Sequence, residues 1–235
     1  MNSPKSTARI IGVLILLSAI AGILGIALNG LPLPFETSPK FLYTVSENSL
    51  KINLSILCAA IASVFLVGLA FLLFPVLKKL NQNIALWYVG ISLVGFAVMV
   101  AGSMSISSLL SLCQEYVTRG IHDPAYFQAL AVSEQDKYIG ALFMSLIAYS
   151  LGASPFYYIS YESKLIPRFL SAWGLIAAAL VFIATLLQMF GVEVSLLIYL
   201  PNGLFILFLG TWLVINGFNN NIRSGTPIGQ PKSLS

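Results

Sequence analysis

From Ile84 the chain runs as far as Glu115 without a charged side chain. A hydrocarbon layer about 30 Å thick takes about 20 helical residues. Read to Tyr116, this one stretch is longer than a crossing, so it has to tilt or protrude. Five more apolar runs flank it, over residues 10–28, 52–77, 138–161, 167–190 and 195–218. Only 9% of the residues are charged, against about 25% in soluble domains, too few to cover a water-facing surface. Strands of a membrane barrel would alternate over about 10 residues, and no such period is visible. The expected fold is all-α: a polytopic membrane protein, a bundle of six transmembrane helices. Its expected organisation is a polar N-terminus over 1–9, one membrane domain over 10–218 and a polar, disordered tail over 219–235.

Local punctuation divides the chain. Asn29-Gly30 with Pro32, Pro34 and Pro39 excludes regular helix from the first loop, residues 29–51. The short Asn81-Gln82-Asn83 link predicts an antiparallel hairpin, with Trp87 and Tyr88 in an interfacial aromatic belt. Asp123-Pro124 predicts a separate surface helix over 124–132, and Ser133 with Asp136 a cap for the next span. Pro155 is expected to kink that span, and Pro201-Asn202-Gly203 to break the last one. Cys58 and Cys113 have no metal-ligand spacing and read as two buried free thiols, Cys113 at the mouth of the third span.

Basic residues orient the chain. With the N-terminus inside, Lys5, Arg9, Lys78, Lys79, Lys164, Arg168, Arg223 and Lys232 lie in the cytoplasm, and Lys40, Lys51, Arg119 and Lys137 outside. That is eight of the twelve basic residues inside, which predicts N-in/C-in by the positive-inside rule. The same scatter at span ends argues against nucleic acid as a partner.

Candidate site residues fall in three groups. Ser92, Gly95, Gly102, Ser103, Ser107 and Ser111 share one drifting stripe on the central helix. Small hydroxylated residues at this spacing serve close helix packing or line a solute path. Gln114, Glu115, Tyr149 and Asn202 form a candidate outer vestibule near the Pro155 kink. Lys164 and Arg168 are placed to meet inner-leaflet headgroups. His122 has no partner set for zinc and reads as a loop histidine beside a helix cap. Apart from Glu115 and Arg168, at the ends of their runs, no Asp, Glu, Lys, Arg or His falls within the six runs, which argues against ion-coupled transport. A serine nucleophile would need a base within reach, and none is visible. No catalytic residue, metal or cofactor is expected.

Five stretches resemble a known family: TARIIGVLILLSAIAGILG at 7–25, LKKLNQNIALWYVG at 77–90, SLLSLCQEY at 108–116, YYISYESKLIPRFLSAWGLI at 157–176 and WLVINGFN at 212–219. Together they resemble bacterial six-span membrane proteins known as domain of unknown function DUF4386. The resemblance implies a fold and no activity. It also implies ionisable groups at positions occupied here by Ser92, Gly95 and Ile206, so an ionic mechanism resting on those positions is not expected of this chain. The expected function is a non-enzymatic plasma (inner) membrane subunit that meets lipid, a partner membrane protein or its own copy. The alternative is a carrier or channel for a neutral or lipophilic solute.

Overall fold

A computed structural model describes residues 4–29, 39–119 and 124–218. His122, Asp123, Arg223, Lys232 and the expected tail lie outside them. The described residues form seven α-helices and no strand. These are α1 Pro4–Asn29, α2 Pro39–Glu47, α3 Ser49–Lys78, α4 Gln82–Arg119, α5 Pro124–Ser163, α6 Arg168–Met189 and α7 Leu200–Asn216. All except α2 belong to segments long and apolar enough to cross a membrane.

The helices differ from expectation at three places. First, the loop after α1 contains α2: Pro39 opens that helix, since a first-turn proline loses no intrahelical bond. Second, the expected surface helix and the fourth span are one continuous 40-residue helix, α5. Ser133 and Asp136 sit inside it, because nothing between 132 and 138 stops helical propagation. Third, the last apolar run starts as a 3-10 turn, Leu196–Tyr199, which Ser195 Oγ caps by accepting from the Leu197 N–H. Pro201 then lies in the first turn of α7, so it starts that helix rather than breaking it.

The six long helices pack as a closed ring, in the order α1, α3, α4, α5, α6, α7 and back to α1. Among the described residues no long helix packs its backbone against one across the ring. Glycine makes the closing seam between α1 and α7 possible. A Cβ on Gly12 would stand 2.7 Å from the Gly210 carbonyl oxygen and 2.9 Å from the Val214 nitrogen. Gly22, further along α1, faces open space.

Two separate cores hold the ring. One lies at the end carrying the α3–α4 and α5–α6 turns, the hairpin end. It joins Ala8 and Ile11 to Leu73, Leu77, Phe156, Ile166 and Phe205. The other joins α2 (Phe41, Leu42, Val45) to the far ends of α3, α4 and α5, around Leu109, Cys113, Tyr116 and Phe127. At 1.5 Å per residue, α4 with its 38 residues is about 57 Å long, well beyond a ~30 Å hydrocarbon layer. The second core sits at the end of α4 and α5 remote from the hairpin turns. Exposed ion pairs lie at that end: Arg119–Glu115 at 2.9 Å and Lys137–Glu134 at 2.8 Å. Cys113 is buried in this second core, and both cysteines are free.

Candidate functional site: a cavity in the middle of the ring

Between the two cores the bundle is hollow. On α4 no residue is fully buried between Ala85 and Gly102, and on α3 none between Ser55 and Leu69. The inward faces of these stretches look onto a cavity of about 350 Å³ walled by α1, α3, α4, α5 and α7. Ligand pockets generally span about 300–1,000 Å³. Leu66 on α3 lines it and is 45% exposed.

The lining is mostly aliphatic and aromatic and contains no charged residue. Its polar groups are Ser18, Ser63, Ser92, Ser145, Tyr88, Tyr149, Tyr157 and Asn202. Tyr149 Oη donates to Asn202 Oδ1 at 2.9 Å, joining α5 to α7. Tyr157 supplies a further side-chain hydrogen bond to Tyr149. Tyr149 lies fourteen residues from the end of α5 at Ser163, and Asn202 fourteen from the end of α7 at Asn216. At 1.5 Å per residue both are about 21 Å from the hairpin-side ends of their helices.

Pro155 on the wall helix is matched by a specific partner. Lacking an N–H, it leaves the Leu151 carbonyl without its helical donor. Trp87 Nε1 donates to that carbonyl at 2.9 Å from α4. Trp87 is thus a helix-helix bond as well as a surface aromatic. Its neighbour Tyr88, expected in the interfacial belt, instead lines the cavity and stacks on Phe156, with centroids 5.6 Å apart.

The sequence-expected groups are redistributed. Of the stripe, Ser92 and Gly95 line the cavity. Gly102 is buried where a Cβ would stand 2.8 Å from Ala141 Cβ. Ser103 is half-buried and donates to the Met99 carbonyl. Ser107 and Ser111 are exposed and donate to carbonyls one turn earlier on their own helix. They stand about 38 and 44 Å up α4 from Gln82, at the level of the second core. A stripe drawn on a straight helix therefore serves three settings. The vestibule divides as well. Tyr149 and Asn202 meet, but Gln114 and Glu115 are exposed about 48 Å up α4, and Glu115 pairs with Arg119. Lys164 and Arg168 are exposed at the α5–α6 turn. Arg168 sits 5.3 Å from the Tyr161 ring centroid, and Lys164 takes φ 56°. No metal-ligating cluster occurs among the described residues.

A ring of six apolar helices around an uncharged internal cavity defines a polytopic helical membrane protein. A family profile, domain of unknown function DUF4386, matches residues 10–217, and the chain belongs to that family. No curated protein and no solved structure matches it. Ser92, Gly95 and Ile206, the positions at which the family resemblance implies ionisable groups, all line the cavity.

Proposed function

We propose that this protein binds a neutral, lipophilic small molecule in its mid-membrane cavity, without chemistry of its own, as a carrier or as a lipid-binding subunit. The hairpin end and the N-terminus face the cytoplasm of a bacterial plasma membrane, the orientation favoured by the basic residues. The observation that carries the reading is the uncharged, largely apolar lining of the cavity. An ionised ligand there would be desolvated with no countercharge, which is costly inside a membrane. Against enzymatic chemistry stands the absence of any His, Cys, Asp, Glu or Lys from the lining to activate its serines.

The test is extraction of the full-length protein in mild detergent, followed by mass spectrometry of co-purified small molecules. A variant that fills the space, Gly95→Phe, serves as control, since Gly95 borders the cavity with Ala148 Cβ 3.5 Å from a Cβ placed there. The wild type is expected to retain a neutral lipophile that the variant has lost. Equal retention by both, or none by the wild type, overturns the reading. Flux into liposomes then separates carrier from subunit.

A further inference from the structure

We propose that the cavity selects an uncharged molecule with one hydrogen-bond-accepting oxygen at its polar end and a hydrocarbon body. Asn202 and Tyr88 read that oxygen. The inference rests on the cavity being a binding site at all.

It follows from a census of hydrogen-bond donors on the lining. Each lining serine commits its one proton to its own helix. Ser18 donates to the Ile15 carbonyl at 2.8 Å, Ser63 to Ala59 at 2.8 Å, Ser92 to Tyr88 at 2.6 Å and Ser145 to Leu142 at 2.7 Å. Tyr149 commits its proton to Asn202 Oδ1, and Tyr157 is engaged with Tyr149. Two donor groups remain. Asn202 has its carbonyl oxygen occupied, and its Nδ2 has no protein partner among the described residues. The Tyr88 hydroxyl likewise has none, and it neighbours Tyr149.

The unused donors are thus gathered around Tyr149. In a wall this apolar an unmet amide N–H is costly, so it favours a ligand that brings an acceptor: an alcohol, ketone, quinone or ester oxygen. The remainder of the wall offers a hydrocarbon body only aliphatic and aromatic contact. A pure hydrocarbon would leave both donors unmet. An anion would meet two neutral donors and no cation.

The experiment uses full-length protein in lipid nanodiscs and three probes that share one chain: farnesol, farnesene and farnesyl phosphate. Equilibrium binding is measured against empty nanodiscs. Farnesol is expected to bind saturably and about tenfold more tightly than farnesene, the ratio expected of one or two net hydrogen bonds. Asn202→Leu should remove about that tenfold for farnesol and leave farnesene unchanged. Tyr88→Phe, which keeps the ring contact with Phe156, should weaken farnesol several-fold and provides the test if Asn202→Leu fails to fold. Equal binding of farnesol and farnesene, or variants that leave their ratio unchanged, overturns the polar-end assignment but not the cavity reading. Tightest binding of farnesyl phosphate overturns the requirement for an uncharged ligand. If no probe binds above empty nanodiscs, the cavity reading itself fails.

Discussion

Replacing Trp87 with phenylalanine tests how the wall of the cavity is held. The structure pairs Trp87 Nε1 with the Leu151 carbonyl at 2.9 Å, an acceptor left free because residue 155 is proline. Removing the indole N–H strands a carbonyl at membrane depth. An unsatisfied buried polar group costs about 1–3 kcal/mol, while side-chain hydrogen bonds inside membranes average about 0.6 and reach about 1.7 kcal/mol. The expected loss is therefore about 1–2 kcal/mol, including some lost contact area. A double-mutant cycle isolates the bond. Pro155→Ala restores an N–H that bonds Leu151 within the helix, so Trp87 has no stranded acceptor to serve. In that background Trp87→Phe should cost about 1 kcal/mol less. The assay is unfolding by SDS in mixed micelles, followed by circular dichroism. Equal costs of Trp87→Phe in both backgrounds would refute the assignment, since area loss alone is indifferent to residue 155.

Three further outcomes follow from the packing and the charge pattern. Gly12→Val should destabilise the ring by about 1–3 kcal/mol through overpacking, because the atoms it meets on α7 are largely backbone and cannot yield. Gly22→Val, in open space, should change the same SDS midpoint little. Ser160 is fully buried and its Oγ has no partner, so Ser160→Ala should leave stability unchanged or raise it by up to about 1 kcal/mol. Single cysteines at Lys79 and Lys137, in a Cys58→Ala/Cys113→Ala background, should react with impermeant reagents from opposite sides of the membrane. Labelling from one side would overturn the proposed topology.

The six crossings were legible because hydrophobicity is additive along a chain: a run such as 84–116 declares itself without knowledge of its neighbours. Helix ends followed less well. Pro39 was read as a breaker and is a starter, because proline's effect depends on whether a turn precedes it. The 124–163 segment was divided by a capping pattern that only a real chain break would have made into a cap. The candidate site was legible in halves. Tyr149 and Asn202 were both named from their neighbourhood of kink and break, and they are bonded to each other. Tyr88 was missed as a lining residue because its neighbour Trp87 does face outward, and adjacent positions on a helix point about 100° apart.

What sequence alone determined is the solvent of each segment: which stretches belong in hydrocarbon and which residues sit at their ends. That is a one-body property, set by transfer free energy residue by residue. The tertiary structure decided which faces meet. The ring closure through Gly12 and Gly210, the hollow beside the hairpin-end core and the second core at the far end of α4 all depend on how helices of unequal length align. Alignment is a many-body outcome of packing, and a single strand of text carries no distance between α5 and α7.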